Sequence, residues 1–145
     1  MKTKIIAEGA QRTIAVIYDA GDEVIASLQV FARAHSIDAA HFTAIGAFES
    51  ATLGYFSWEK KDYLRIPVQE QVEVLSLAGD IAHKDGQAKV HAHVVLGRRD
   101  GTTLGGHLLE ARVRPTLELM LTESPSYLKR VHDPETGLAL IRIES

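Results

Sequence analysis

The sequence predicts an α+β fold in which a mostly antiparallel β-sheet packs against one main α-helix. Two features favour this class. Apolar residues recur at helical spacing in one stretch, residues 23–35, whereas most of the remaining chain consists of short apolar or alternating runs separated by turns. With 145 residues, 46% of them hydrophobic, the chain can bury a core, and we expect residues 1–145 to form a single domain.

The first elements of the chain are predicted to be two strands and a helix. Residues 3–7 and 13–18 are rich in Ile and Val, and a short polar segment separates them. A helix should follow, with Asp22 as its N-cap. Its apolar residues share one face, which is expected to cover the sheet: Val24, Ile25, Leu28, Phe31 and Ala32.

The rest of the chain is predicted to form strands. Their expected bounds are 41–48, 51–58, 63–68, 72–77, 88–96, 102–108, 114–121 and 138–143. Asp100 and Gly101 form a dipeptide typical of a tight hairpin, so the strand after them should return beside the strand before them. Opposite residues in that hairpin have numbers that sum to about 201, which sets His93 opposite about Leu108.

Cysteine content and charge exclude several kinds of site. The chain has no cysteine, which excludes disulfides, thiolate metal sites and cysteine nucleophiles. Its net charge of −3 gives no general basic face for nucleic acid. Four pairs of neighbouring basic residues are expected to be solvated surface pairs rather than phosphate clamps: Lys60 with Lys61, Arg98 with Arg99, Arg112 with Arg114, and Lys129 with Arg130.

Hydropathy favours a cytoplasmic protein. No apolar stretch approaches the roughly 20 residues that span a bilayer. The first residues, MKTKIIAE, contain too short an apolar run for a signal peptide. We therefore expect cytoplasmic localisation and no membrane partner.

Three of the seven histidines form a pattern typical of a metal site. His91 and His93 lie one residue apart in an alternating run, so a strand would place both rings on one face. The predicted hairpin returns His107 beside this pair, and Gly105 and Gly106 would allow close backbone approach. Nitrogen ligands of this kind suit zinc and related divalent metals.

Two interpretations of these histidines stay open. They are either polar residues on a half-exposed strand or ligands of one metal ion, and the combination of an H-x-H pair with a third histidine favours the metal. Three protein ligands would leave a position for water or a small-molecule ligand, whereas closed structural sites normally use four. Of the others, His35 is expected to act in packing or in the helix dipole, and no partner pattern is found for His41, His83 and His132.

Four segments together resemble the plants and prokaryotes conserved (PPC) domain. They are TAIGAF at 43–48, VEVLSLAG at 72–79, HAHVVLG at 91–97 and GGHL at 105–108. The resemblance covers essentially the whole chain. It implies a homotrimer with one helix packed on an antiparallel sheet, and a metal, often zinc, bound by His91, His93 and His107.

The same resemblance suggests DNA as a partner, but without the usual contact element. In plants the domain follows an AT-hook, an Arg-Gly-Arg-Pro element that enters the minor groove, and bacterial members are labelled DNA-binding on that account. This chain contains no Arg-Gly-Arg-Pro. A DNA-associated or regulatory role therefore follows from the family alone.

The fold and the H-x-H…H arrangement are also similar to acetolactate decarboxylase, which implies an alternative function as a small metal-dependent enzyme of lyase or hydrolase type. In that enzyme a three-histidine zinc polarises the substrate, with a Glu and an Arg nearby. The counterparts here would be Glu49 and one of Arg65, Arg112 and Arg114. An ordinary surface role is the competing interpretation for Glu49, and for Glu73 and Glu110.

The sequence adds one observation on assembly. Residues 51–58, ATLGYFSW, are rich in aromatic side chains, which could cover a partner subunit but are expected first of all in the core.

Overall fold

The computed structural model describes residues 1–9, 11–124 and 128–143, and within them it contains one helix and nine strands. The predicted α+β class is confirmed. In chain order the elements are β1 (Lys2–Ala7), β2 (Thr13–Asp19), α1 (Val24–Ala34), β3 (Ala40–Ser57), β4 (Asp62–Val68), β5 (Val72–Lys84), β6 (Gln87–Gly97), β7 (Thr103–Glu123), β8 (Lys129–His132) and β9 (Ala139–Arg142).

Four of the strands close into a ring. β3 pairs with β5 on one side and with β7 on the other, and β6 joins β5 to β7. The remaining strands extend it: β4 pairs with β3, β2 with β7, β1 with β2, and the β8–β9 hairpin lies beside β5. Among the described residues, the one parallel pairing joins His83 to Lys129, so the sheet is antiparallel nearly throughout, as predicted.

The core lies between α1 and one face of this sheet, which we call the inner face. Val90 and Val94 of β6 are buried there in one cluster with Leu28 of α1. Because side chains alternate along a strand, His91 and His93 lie on the opposite, outer face. The helix thus packs as its apolar spacing predicts, and the histidines stay outside the core.

The helix begins one residue later than predicted. The N-cap is Glu23, whose carboxylate accepts a hydrogen bond from the backbone N–H of Ala26. Asp22 instead accepts the backbone N–H of Asp19 and pairs with the N-terminal ammonium at 2.8 Å, so its carboxylate is not available to cap. In the part of the chain that the structure describes, no helix has the length and apolar character needed to cross a membrane.

Two pairs of predicted strands are in fact single long strands. β3 spans the predicted strands 41–48 and 51–58 except for Trp58, and β7 spans the predicted strands 102–108 and 114–121 except for Thr102. Gly46 lies at a bulge where the pairing register shifts. It has φ of 150°, and a Cβ there would lie 2.3 Å from the carbonyl oxygen of Thr116, so a glycine is required. Strand β8 is not among the predicted strands.

The aromatic segment at 51–58 is divided between core and surface. Leu53 is fully buried, but Tyr55 and Trp58 are 66% and 60% exposed. The expectation that its aromatics belong to the core is therefore wrong for these two residues.

Candidate metal centre

The three predicted histidines meet on the outer face. His91 and His93 belong to β6 and His107 to β7, and His93 pairs directly with His107 across the ladder. Each ring offers one nitrogen such that all three nitrogens lie within 4.8 Å of one another. The ring centroids are 5.0–5.3 Å apart.

The turn between β6 and β7 sets this alignment. The predicted two-residue turn at Asp100 and Gly101 would have paired His93 with Leu108. Instead the N–H of Arg98 bonds to the carbonyl of Thr102 at 2.8 Å, which leaves a three-residue loop, and Gly101 has φ of 82°. The register therefore shifts by one residue, and His107 comes to lie directly opposite His93.

Two glycines make room around the site. A Cβ on Gly105 would lie 2.8 Å from the carbonyl oxygen of Val94, which agrees with the predicted close approach of backbone. A Cβ on Gly54 would lie 2.7 Å from the ring of Tyr63. That ring stacks on His107 with centroids 4.5 Å apart, so Tyr63 forms one wall of the site.

Burial keeps the imidazoles of His93 and His107 neutral. Burial lowers the pKa of His107 to about 4, helped by the nearby His91, His93 and Arg130. Burial, followed by the charge of His91, also lowers the pKa of His93. Near pH 7 both rings therefore carry a free nitrogen lone pair, the form in which histidine binds a metal.

One buried atom in this group lacks a partner. Among the described residues, Nδ1 of His107 is buried without a hydrogen bond. A buried polar atom of this kind normally has a partner. A metal ion would be a suitable partner, because three converging imidazoles are typical metal ligands. The residues present therefore fit a divalent transition metal.

Asp80 and Arg130 lie next to His91, and the sequence analysis predicted neither of them as part of the site. Oδ2 of Asp80 lies 3.5 Å from Nδ1 of His91, and Oδ1 of Asp80 accepts a hydrogen bond from Nη2 of Arg130 at 2.5 Å. The Arg130 side chain is 8% exposed, which corrects the expectation that Lys129 and Arg130 form a solvated surface pair. Although burial of Asp80 acts to raise its pKa, the neighbouring His91 and Arg130 outweigh this and lower it.

A sequence signal for Asp80 did exist. Asp85 and Gly86 form a two-residue turn with positive φ at both residues, which is the type expected of an Asp-Gly hairpin. That turn pairs Lys84 with Gln87 and, four residues further along each strand, Asp80 with His91. Arg130 had no comparable signal, because it approaches from a strand that was not predicted.

The four candidate catalytic residues, Glu49, Arg65, Arg112 and Arg114, each have a contact of their own. Arg65 pairs with Glu110 at 2.6 Å. Glu49 lies 3.9 Å from Arg114. Arg112 donates a hydrogen bond to the carbonyl of Gly21 at 3.1 Å. Their proposed roles in acid–base chemistry stay predictions.

Two further histidines have identified neighbours away from this centre. His35 is the C-cap of α1 and packs on Phe31 with ring centroids 4.4 Å apart, as expected of a packing residue. Nε2 of His83 lies 3.5 Å from Oδ1 of Asp38.

Comparison with known proteins gives a family match over most of the chain. A model of the Plants and Prokaryotes Conserved domain, abbreviated PCC or PPC, matches residues 6–125. The bifunctional protein GlmU of Synechococcus sp. (strain JA-3-3Ab) is 33% identical over 127 residues, which are 86% of this chain. The match covers only 19% of the length of that relative.

Solved structures match over nearly the full chain. A PPC protein from Pyrococcus horikoshii is 35% identical, with a TM-score of 0.86 and coverage of 92% of this chain and 93% of that one. A metal-containing protein from Archaeoglobus fulgidus is 34% identical, with a TM-score of 0.84 and coverage of 99% and 100%. A candidate DNA-binding protein from Ralstonia eutropha JMP134 is 30% identical, with a TM-score of 0.84 and coverage of 90% and 91%.

The likeness to acetolactate decarboxylase is one of fold. A Staphylococcus aureus protein of unknown function, described as similar to that enzyme, is 13% identical with a TM-score of 0.53. The match covers 78% of this chain and 53% of that one.

Proposed function

This chain belongs to the Plants and Prokaryotes Conserved domain family, and on that premise we propose that it is a zinc-binding, homotrimeric domain with a DNA-associated or regulatory role. His91, His93 and His107 would hold the ion. The single observation that carries this proposal is the convergence of their three ring nitrogens within 4.8 Å on one face of the sheet.

The ligand set leaves room for a small molecule. Three imidazole nitrogens fill three positions of a four-coordinate zinc ion, and the next is open to water or an oxygen-containing ligand. The bound ion would act as a Lewis acid toward that oxygen. The protein's own part is to hold the three rings close together, with His93 and His107 kept neutral by burial and Tyr63 stacked against His107.

Elemental analysis tests the metal site directly. The protein is purified without a metal-affinity tag, and zinc is measured in wild type, His93→Ala and His35→Ala. We expect about one zinc per chain in wild type and in His35→Ala, because His35 caps the helix and is not a ligand. His93→Ala should lose the metal, and stoichiometric zinc in that variant would refute the assignment.

Exposed apolar side chains support self-association. Ile45, Leu75, Val95 and Met120 all lie on the outer face and are between 43% and 61% exposed. A trimer that covered this patch would remove these side chains from water. Sedimentation of wild type against Ile45→Glu tests the idea: we expect a trimer in wild type and dissociation in the variant, and a monomeric wild type would contradict it.

The DNA-associated role is supported by the Ralstonia eutropha relative and weakened by the net charge of −3. A DNA-binding protein loses affinity steeply as salt rises, because counterions compete for the phosphates. A gel-shift titration at low and high salt therefore separates the possibilities. Absence of any shift at low salt would remove DNA as a direct partner.

The open coordination position favours a second candidate, a small metal-dependent enzyme of lyase or hydrolase type. Cobalt-substituted protein provides a test that needs no known substrate. Acetate added to it should change the visible absorption if a carboxylate enters the open position. An unchanged spectrum at high acetate would argue against an accessible site.

A further inference from the structure

The carboxylate of Asp80 lies beside one ring nitrogen of His91, Nδ1. The two residues are direct partners in the β5–β6 ladder, and Oδ2 of Asp80 lies 3.5 Å from Nδ1 of His91. A carboxylate can only accept a hydrogen bond, so it favours the form of the ring that carries its proton on Nδ1. In that form Nε2 has the free lone pair.

Arg130 fixes the carboxylate in this position. Its Nη2 donates to Oδ1 of Asp80 at 2.5 Å, and its Nη1 donates to the carbonyl of Ala139 in β9 at 3.0 Å. The guanidinium therefore ties the C-terminal hairpin to β5, with Oδ2 left for His91. Residue 130 lies beyond residues 6–125, the segment matched by the family model.

Arg130 also contacts the ring of His91, and this contact favours the other tautomer. Its Nη2 lies 3.3 Å from Nδ1 of His91. Arginine keeps its protons, so it can only donate, and a bond to Nδ1 would place the ring proton on Nε2 and block that nitrogen as a ligand. The two neighbours thus favour different tautomers. Nε2 is free to bind a metal only when the ring proton stays on Nδ1 and Asp80 accepts a hydrogen bond from it.

We propose that Asp80 is a positioning residue for the metal centre: held by Arg130, it accepts Nδ1–H of His91 and so presents Nε2 of His91 to the ion. The inference rests on the proposed function, since it concerns the same three histidines. Carboxylates behind metal-bound histidines fix the tautomer and the ring orientation, and their removal typically lowers metal affinity about 10–100-fold.

Zinc affinity in a matched set of variants gives the first test. We expect Asp80→Ala to weaken zinc binding about 10–100-fold in competition with a chromophoric chelator. Asp80→Asn should fall between Asp80→Ala and wild type, because its amide oxygen still accepts a hydrogen bond. Asp38→Asn is the control, since Asp38 lies 3.5 Å from a histidine outside the centre, His83, and it should leave zinc affinity unchanged.

Long-range ¹⁵N–¹H NMR of zinc-loaded wild type gives a readout that needs no variant. The expected spectrum of His91 has the proton on Nδ1 and zinc on Nε2. Zinc on Nδ1, or zinc affinity of a folded Asp80→Ala within twofold of wild type, would overturn the inference while leaving a zinc site in place. If wild type binds no zinc at all, the proposed function fails together with it.

Discussion

Acid should destabilise the metal-free protein through His107. In the folded chain the pKa of His107 is lowered from 6.5 to about 4, so between these values the unfolded chain binds a proton that the folded chain does not. The contribution of neutral His107 to the free energy of unfolding is therefore fully present above pH 6.5 and is lost as the pH falls toward 4. His93, whose pKa is also lowered, acts in the same direction.

The size of the effect follows from the shift and the exposure of the ring. At 1.36 kcal/mol per pKa unit, the full shift of the His107 pKa corresponds to an upper limit of about 3.4 kcal/mol. Water reaches part of the half-buried ring and screens its charge, so we expect about 1–2 kcal/mol between pH 7 and pH 4.5. For a chain of this size, a loss of 1–2 kcal/mol lowers Tm by about 3–6 °C. Between pH 7 and pH 4.5 the Tm of wild type should therefore fall by about this much more than the Tm of a variant that lacks His107.

The assay compares wild type with His107→Gln in the presence of a chelator. Glutamine stays neutral at both pH values, so the variant should lose about 1–2 kcal/mol less than wild type when urea unfolding is repeated at pH 7 and pH 4.5. His35→Gln serves as a matched control at the helix C-cap. Equal losses in wild type and His107→Gln would refute burial of His107 as the source of its lowered pKa.

Three further perturbations test the packing around the centre. Leu28→Ala removes a fully buried side chain of α1 and should cost about 2–5 kcal/mol in urea unfolding; a loss below about 1 kcal/mol would contradict the core. Gly105→Ala places a Cβ 2.8 Å from backbone oxygen of β6 and should weaken zinc binding, whereas Gly9→Ala meets nothing within 4 Å and should not; equal affinities would argue against the close approach. Arg130→Lys removes a buried guanidinium group and should lower the free energy of unfolding by about 1–3 kcal/mol. Arg114→Lys, at a side chain that is 64% exposed, should change it little. Thermal unfolding of both variants tests this difference.

Local pattern was sufficient to predict the elements that the site uses. The apolar spacing of residues 23–35 predicted α1, because a helix must bury one face. The alternation around His91 and His93 predicted that both rings share a face, because side chains of a strand alternate. Family resemblance and hairpin logic both added His107, and the structure brings it to the other two.

Register and long-range contact needed the tertiary structure. Whether the chain turns at Asp100 in two residues or three is decided by the loop's own hydrogen bond, and one residue of difference sets His107 rather than Leu108 opposite His93. Local sequence patterns gave no sign that β3 and β7 continue through their bulges, because a bulged strand and two separate strands have the same alternating pattern.

The amino-acid sequence by itself determined the fold class, the helix and the face on which the histidines lie, because each of these depends on residues a few positions apart. Only the tertiary structure decided that Asp80 and Arg130 contact His91. Arg130 reaches Asp80 across 50 positions of the chain, and no local spacing encodes a contact that depends on how the C-terminal hairpin docks against β5. Hydrophobic burial and turns place the strands, but a single buried hydrogen bond of this kind is specified only after they have packed.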